Sequence, residues 1–289
     1  MRQIVRRCLA VVAIVLWAES GVTGEAQRPI QIGASASRTG TYAALSENQL
    51  RGYQLCVKHT NDKGGVLGRK LELVVEDDQS QPATAIRIYE KLVTQEKVDR
   101  VLGPYGSPMV EPVATVTEKY RVPMVAATGA ATSIHKDRKF IFMVYSTAEV
   151  YLEGFVELAA RNGLKTIALI GEGESLGPRA VVKGASDLAK KRGLQVVLAE
   201  TYPKGTTDFS AILTKVRAAN PDAFAAASFF EDAVAITRQA RELNLNPKMY
   251  AVTVGAAHPR FYELGSTSEF VYGPSQWEPE LVTTRAGGG

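Results

Sequence analysis

The sequence contains only two cysteines and three histidines among its 289 residues. Cys8 and Cys56 lie in segments of different character, so we expect no internal disulfide, and we predict that Cys56 is buried and inert. His59, His135 and His258 are far apart and share no spacing typical of zinc ligands. We therefore expect neither a metal site nor a cofactor.

Charge of one sign is not in large excess. Lysine and arginine total 34 against 30 aspartates and glutamates, which gives a formal net charge of +4. The signs are interspersed, and the short basic group at residues 190–192 suits a solvated helix end rather than a nucleic-acid track. We expect no nucleic-acid partner. With 45% hydrophobic and 22% charged residues, the composition is that of a globular chain long enough for two domains.

Long apolar runs are scarce, and the one at the start of the chain covers only residues 8–18. Three arginines precede this run and small or polar residues follow it, which is the order typical of a secretory signal peptide. The run is shorter than the roughly 20 residues that span a bilayer. We predict that residues 1–27 are a signal peptide cleaved between Gly21 and Gln27, with an uncleaved anchor as the alternative. Cys8 precedes the run, so we expect no lipid attachment.

From Pro29 onward, strand-like and helix-like segments alternate. The pattern predicts strands at residues 29–36, 71–76, 98–103, 123–127, 140–144, 165–171, 194–201, 222–228 and 248–254. It predicts helices at residues 45–62, 82–95, 107–120, 150–162, 178–192, 208–219 and 231–243. Such alternation favours parallel sheets covered by helices on both faces. The elements divide near residues 145–149, so we predict an α/β chain of two doubly wound domains.

Ligands of such sheets bind outside the carboxyl ends of the strands. Ser107 follows a predicted strand and begins a predicted helix, whose free N–H groups attract anions. Its hydroxyl is placed either to donate to a carboxylate or to cap the helix. The loop at residues 127–130 follows the next strand and combines small residues with the hydroxyl of Thr128. This loop either admits a ligand to the backbone or is an ordinary connection.

Residues 173–177 match the G-x-S-x-G pattern of serine hydrolases. Three observations argue against a nucleophile here. Ser175 lies five positions after Ile170, no H-G-G-G type oxyanion loop occurs in the sequence, and Glu172 and Glu174 would oppose a developing oxyanion. A hydrolase that uses Ser175 stays as an alternative that we do not favour.

Two further groups of residues have more than one interpretation. Glu76, Asp77 and Asp78 form an acidic cluster, and paired carboxylates either serve as acid and base or bind a cation. We favour a solvated loop for this cluster. Phe229 and Trp277 lie in predicted loops, where each packs either on a ligand or in the core.

Several stretches share their order and spacing with a known family: residues 61–71, 76–82, 103–107, 122–124, 207–210 and 273–277. In these stretches the chain resembles the periplasmic substrate-binding proteins of ABC transporters, of the Leu/Ile/Val-binding type. The resemblance implies a type I periplasmic binding protein fold, or Venus flytrap, in which two lobes close over a ligand. It implies residues 28–147 plus 273–289 for the first lobe and residues 148–272 for the second. It also implies a periplasmic monomer with a small-molecule ligand and ABC permease subunits as partners.

The resemblance places the family's carboxylate-binding serine on Ser107, its backbone-and-hydroxyl loop on residues 127–130, and a ligand-packing aromatic on Phe229. Together with the strand-end positions, the candidate ligand-binding residues are Leu45, Tyr105, Gly106, Ser107, Ala127, Thr128, Ala130, Leu176, Phe229, Val254 and Trp277.

Three positions depart from the leucine-binding members. Those members place an acidic residue near Val254 and tyrosines near Leu45 and Leu176. Loss of the acid removes a contact to the ligand ammonium worth about 1.5–3 kcal/mol, unless Glu231 or Asp232 replaces it. We expect a ligand with a carboxylate or amide group and an apolar or aromatic body, which leaves an amino acid, an amide and an aromatic acid open.

The family usually continues well beyond the length of this chain. We therefore expect the first lobe to be truncated at its C-terminal side and to expose apolar surface. The expected function is delivery of a small ligand to an ABC importer without enzymatic activity. A ligand-sensing module for a receptor is the main alternative.

Overall fold

The computed structural model describes residues 28–275. The predicted signal peptide and Trp277 lie outside these residues. Within them, no helix combines the length and the apolar character that crossing a bilayer requires.

The first half of the described chain folds around a parallel five-stranded sheet of order β2-β1-β3-β4-β5. Its strands are β1 (Ile30–Ala36), β2 (Leu71–Asp77), β3 (Arg100–Leu102), β4 (Met124–Ala126) and β5 (Ile141–Met143). Its helices are α1 (Ala43–Asp62), α2 (Pro82–Thr94), α3 (Ser107–Tyr120) and α4 (Thr132–His135). We call this sheet with its helices the first lobe.

The second half repeats the arrangement with a sheet of order β10-β9-β8-β6-β7, again parallel. Its strands are β6 (Thr166–Glu172), β7 (Gln195–Tyr202), β8 (Ala223–Ala227), β9 (Met249–Val252) and β10 (Val271–Tyr272). Its helices are α5 (Glu153–Arg161), α6 (Leu176–Lys191), α7 (Ser210–Ala219) and α8 (Phe230–Glu242). We call this sheet with its helices the second lobe.

The central strands of the second lobe show why the sequence folds this way. All five residues of β8 are buried, and so are six of the seven residues of β6. A strand covered on both faces needs a continuous apolar run, and alanines at most positions of β8 let helices approach closely. Helix α6 buries Pro178, Val181, Ala185 and Ala189, which recur at helical spacing on one face.

The predicted alternation of strands and helices is confirmed, and so are the two doubly wound parallel sheets. Helix α3 begins and ends where the pattern predicts, whereas α5 begins later because Ala148–Val150 forms a 3-10 turn. Helix α4, the 3-10 segment Pro259–Ser268 and strand β10 were not predicted. Each lacks a regular apolar period or is too short to show one.

Two sequence predictions outside the ligand site are wrong. Cys56 is exposed, because the face of α1 that packs inward carries Ser46, Leu50 and Tyr53. Asp78 is fully buried rather than solvated. Its carboxylate accepts hydrogen bonds from two serine hydroxyls and from the backbone N–H of Ser80, and these bonds offset the cost of burying the charge.

One face of the first sheet carries exposed apolar side chains. Val125, Phe142 and Val144 are 37%, 52% and 64% exposed, whereas Met124, Ala126 and Ile141 on the other face are buried. Side chains alternate between faces along a strand, so the exposed set defines one side of β4 and β5. The apolar exposure predicted for the first lobe is therefore present.

Candidate ligand-binding site

Two connected spaces lie between the lobes at the carboxyl ends of the strands. One is a wide cleft of about 1260 Å³, and the other is a small cavity of about 80 Å³. Six residues line both spaces, namely Tyr105, Thr128, Tyr145, Tyr151, Thr253 and Val254. Both lobes contribute, as expected where two sheets turn their carboxyl edges toward each other.

Ser107 is the first residue of α3 and borders the small cavity. The cap position before it is Gly106, whose φ of +83° suits a residue without a side chain, and no side chain caps this helix. The interpretation of Ser107 as the helix cap is therefore wrong. Ser107 is 5% exposed and borders the small cavity, and its hydroxyl makes no hydrogen bond to any residue between 28 and 275. A hydroxyl at the positive end of a helix is suited to an anion.

Thr128 has a structural role as well as bordering the ligand spaces, because its hydroxyl joins two loops. It accepts a hydrogen bond from Gly106 N–H at 2.8 Å and donates to Gln49 Oε1 at 2.9 Å. Gln49 in turn donates from Nε2 to the hydroxyl of Tyr53 and to the carbonyl of Gly103. This network fixes the backbone that presents Ser107. Gln49 and Tyr53 were not predicted as site residues, although the sequence places them one helical turn apart on α1.

Gly129 shows why the loop at residues 127–130 consists of small residues. Its φ is +87°, and a Cβ atom at this position would lie 2.7 Å from Val110 Cβ. The loop therefore lies directly on α3, and its neighbour Ala130 borders the small cavity. His135 Nε2 contacts the Gly129 carbonyl oxygen at 2.8 Å and holds the loop from the other side.

Aromatic side chains form much of the wall of the small cavity. Tyr105, Tyr145, Tyr151 and Phe229 all line the small cavity. The rings of Tyr145 and Tyr151 meet edge to face with centroids 6.0 Å apart. Burial raises the pKa of Tyr105 and of Tyr145, so both phenols stay neutral at physiological pH. Tyr145 and Tyr151 were not predicted as site residues, because they lie in the connection between the lobes and follow no strand-end pattern.

Among the described residues that line the small cavity, none is an aspartate, glutamate, lysine or arginine. The wide cleft adds Glu153 and His258. Burial and the nearby Arg260 guanidinium lower the pKa of His258, which favours its neutral form. Neither Glu231 nor Asp232 borders either space within residues 28–275, so neither replaces the missing acid at Val254. The small cavity thus offers hydroxyls, a helix N-terminus and rings, but no partner for an ammonium group.

The candidate residues are placed as follows. Gly106, Ser107, Ala130 and Phe229 border the small cavity, and Tyr105, Thr128 and Val254 border both spaces. Leu45 and Ala127 border the wide cleft alone. Leu176 borders neither space, because as the first residue of α6 it packs against the core of the first lobe. Trp277 lies outside the described residues.

The structure gives no support to a nucleophile at Ser175. This residue has ordinary extended backbone angles, with φ −85° and ψ 138°, and precedes α6. Its N–H donates to Glu172 Oε1, so a carboxylate occupies the place where an oxyanion hole would be needed. Ser175 is 4% exposed and makes no hydrogen bond to a histidine within the described part of the chain.

Comparison with known proteins gives one family and many relatives. Residues 29–287 match the profile of a family described as periplasmic binding protein. The Leu/Ile/Val-binding protein homolog 7 of Brucella abortus is 27% identical over 274 residues, which are 90% of this chain and 66% of that protein. An amino acid binding protein of Pseudomonas aeruginosa is 24% identical, over 82% of this chain and 64% of that protein. The chain thus spans less than two thirds of these relatives.

Solved structures share the fold. The branched-chain amino acid binding protein LivJ of Streptococcus pneumoniae, in complex with isoleucine, has a TM-score of 0.73 at 24% identity and covers 85% of this chain and 70% of that one. An ABC transporter solute binding protein of Rhodopseudomonas palustris, in complex with 4-hydroxybenzoate, has a TM-score of 0.73 at 21% identity, with coverages of 82% and 66%. At these identities the likeness concerns the fold.

Proposed function

The chain belongs to the periplasmic binding protein family, and on this premise we propose that it is an extracytoplasmic solute-binding protein for small aromatic carboxylates. One observation carries this choice of ligand. The small cavity joins the Ser107 hydroxyl at a helix N-terminus to aromatic walls, and no acidic side chain borders it within residues 28–275. Its relatives are solute-binding proteins rather than enzymes, and the function has no chemical step.

The carboxylate end of the ligand lies at Ser107. At the start of α3, the N–H of Ser107 has no acceptor among residues 28–275, whereas Pro108 has no N–H and the N–H of Met109 donates to the Gly106 carbonyl at 3.1 Å. The helix carries a partial positive charge at this end. A hydroxyl that donates to a carboxylate adds about 1.5–3 kcal/mol, as hydrogen bonds to charged groups do. Because Ser107 is buried, water screens this interaction little.

The body of the ligand lies between the rings of Tyr105 and Phe229. Both border the small cavity, one from each lobe, so a flat ring between them closes the gap between the lobes. Aromatic pairs in offset or edge-to-face geometry add about 0.5–1.5 kcal/mol beyond the burial of their area. The structural neighbour with 4-hydroxybenzoate supports this ligand class.

A branched-chain amino acid is the second candidate, because the neighbour LivJ holds isoleucine and a Brucella relative is a Leu/Ile/Val-binding protein homolog. An amino acid brings an ammonium group into the cavity. Val254 supplies no counter-charge for it, and the unpaired charge costs several kcal/mol when it is buried. The aromatic acid is therefore the better fit.

We also propose where the protein is located in the cell and which partners it has. Export through the signal peptide at residues 1–27 brings the protein to the periplasm, where it works as a monomer that delivers ligand to ABC permease subunits. Residues 28–147 and 273–289 belong to one lobe and residues 148–272 to the other. The family membership supports this placement and these partners.

Isothermal titration calorimetry on the full chain tests the ligand class with four compounds. We expect benzoate and 4-hydroxybenzoate to bind and to raise the melting temperature, since a ligand of the native state stabilises it by mass action. Benzylamine has the same body with the opposite charge, and leucine has both charges, so we expect neither to bind. Tight binding of leucine without binding of benzoate would assign the second candidate instead.

A further inference from the structure

Tyr42 crosses from the first lobe to the second without bordering either ligand space. It precedes α1, yet its side chain is 1% exposed. Its ring meets that of Phe229 edge to face at a centroid distance of 5.3 Å, and Lys204 Nζ lies 5.6 Å from its ring centroid. Both partners belong to the second lobe. The Tyr42 side chain is therefore one of the contacts that join the two lobes beside the cavity.

The loop that carries Tyr42 is fixed from within the first lobe. The backbone N–H of Tyr42 donates to Ser80 Oγ at 3.1 Å, and that hydroxyl donates to the carbonyl of Thr39 at 2.7 Å. Ser80 N–H donates to the buried carboxylate of Asp78 at 3.0 Å, and this carboxylate also accepts two serine hydroxyls at 2.6 Å each. The ring is therefore preorganised to meet the second lobe, and ordering it on closure costs little.

The surface that receives Tyr42 is acidic. Glu172 ends β6 and is 2% exposed, and its Oε1 accepts the backbone N–H groups of Glu174 and Ser175. Asp232 lies in the first turn of α8 and accepts the hydroxyl of Tyr202 at 3.0 Å. Two carboxylates from different elements thus lie under one tyrosine from the opposite lobe.

Two buried polar atoms at this contact lack hydrogen bonds. Neither the Tyr42 hydroxyl nor Glu172 Oε2 has a partner of acceptable geometry among residues 28–275. Buried polar groups without partners cost about 1–3 kcal/mol each and are rare in native proteins. Their presence at the same interface indicates a contact whose strength depends on charge and protonation rather than on packing alone.

Asp232 is the group of this cluster that takes up a proton near neutral pH. Burial raises its pKa to about 6, with Glu172 on β6 and Glu231 on its own helix acting in the same direction, while the hydroxyl of Tyr202 opposes the rise. From the first lobe, Tyr42 faces the same pair, and burial followed by the Glu172 carboxylate raises the pKa of Tyr42 to about 12. Tyr42 therefore stays neutral while Asp232 titrates.

We propose that Tyr42 latches the first lobe onto the second, and that proton uptake by Asp232, which lies beside Glu172 at this contact, strengthens the latch. The inference rests on the proposed function only in that a binding protein closes over its ligand. Opening withdraws Tyr42 and admits water to Asp232, so its pKa falls toward the ordinary value near 3.9. The closed form then binds the proton more tightly than the open form, and closure is favoured as pH falls through 6. With a pKa of Asp232 of about 6 in the closed form and about 3.9 in the open form, the ratio of closed to open molecules is about fourfold higher at pH 5.5 than at pH 7.5.

Small-angle X-ray scattering on the ligand-free full chain measures the closed-to-open ratio between pH 7.5 and 5.5. We expect the ratio to rise about fourfold in the wild type. In Asp232→Asn, it stays constant over this range. Asp187→Asn is the control, because that carboxylate is exposed on α6 and pairs with Lys183, and we expect it to keep the wild-type slope. A wild-type ratio that stays constant or decreases as the pH is lowered from 7.5 to 5.5 would overturn the proposal, as would a wild-type slope in Asp232→Asn.

The ring of Tyr42 gives a second and independent test. We expect Tyr42→Phe to keep the edge-to-face contact with Phe229 and most of the closed population, and Tyr42→Ala to populate the open form at every pH. Melting temperatures in both variants separate loss of the latch from loss of the fold. An equally compact Tyr42→Ala would overturn the proposal. None of these measurements uses a ligand, so failure of the aromatic acids to bind would leave the result on the latch intact.

Discussion

A Cβ atom placed on Gly177 of the second lobe would lie 3.1 Å from the Ser107 hydroxyl oxygen of the first lobe. Two helices thus meet end to end across the cavity, since Ser107 begins α3 and Gly177 lies in the first turn of α6. The absence of a side chain at position 177 keeps the Ser107 hydroxyl accessible to a ligand. It also allows the lobes to approach closely.

Replacing Gly177 with alanine tests this relationship. We expect affinity for 4-hydroxybenzoate to fall by about tenfold, because overpacking a close contact costs about 1–3 kcal/mol. The melting temperature of the free protein should not fall, since alanine is the better helix former. Gly154→Ala is the matched control, because a Cβ atom there meets no atom within 4 Å. Equal calorimetric affinities for the two variants would contradict the assigned role of Gly177.

Removal of the Ser107 hydroxyl should weaken the binding of a carboxylate more than that of an amide. We expect Ser107→Ala to reduce affinity for benzoate by about 10- to 100-fold, because a hydrogen bond to a charged group contributes about 1.5–3 kcal/mol. For benzamide, the expected loss is smaller because the partner is neutral. Calorimetry with both ligands on the same protein gives the comparison. An equal loss for both would mean that Ser107 shapes the cavity rather than binding the anion.

Much of the fold could be predicted from the chain because its signals are local. Pro82 and Pro108 lie in the first turns of α2 and α3, where a missing N–H has no cost, and the apolar runs of β6 and β8 identify buried parallel strands. Ser107 could be placed at a helix start by the same reasoning. Each of these features depends on neighbours within a few positions.

Other features depend on contacts between distant segments, and the sequence alone did not reveal them. Gln49 reaches Thr128 across 79 positions, and Asp78 is buried because serines more than 40 positions earlier donate to it. Tyr42 contacts Phe229 only in the folded protein, because the two residues belong to different lobes. No local pattern distinguishes these residues from ordinary polar or aromatic positions.

Gly129 offers a stability test of the loop that faces the cavity. Its positive φ and the distance of 2.7 Å from a Cβ atom to Val110 predict that Gly129→Ala strains both the backbone and the packing against α3. Gly163 also has a positive φ, at +73°, but a Cβ atom added there would meet no atom within 4 Å, so Gly163→Ala is the matched control. We expect about 1 kcal/mol of destabilisation for Gly163→Ala and about 2–4 kcal/mol for Gly129→Ala, measured by urea unfolding. Equal losses would show that the loop is not packed against Val110.

We expect Val254 to influence which charge the cavity accepts, because it borders both spaces and the resemblance to leucine-binding proteins implies an acidic residue near this position. We expect Val254→Glu to weaken 4-hydroxybenzoate binding by at least tenfold through repulsion between carboxylates, each tenfold being about 1.4 kcal/mol. The same variant should acquire measurable affinity for leucine or phenylalanine, whose ammonium group then gains a partner. Val254→Gln has nearly the same size without the charge and should bind neither amino acid. If Val254→Glu left both affinities unchanged in calorimetry, the ligand would not reach Val254, and the missing acid would no longer argue for an aromatic carboxylate.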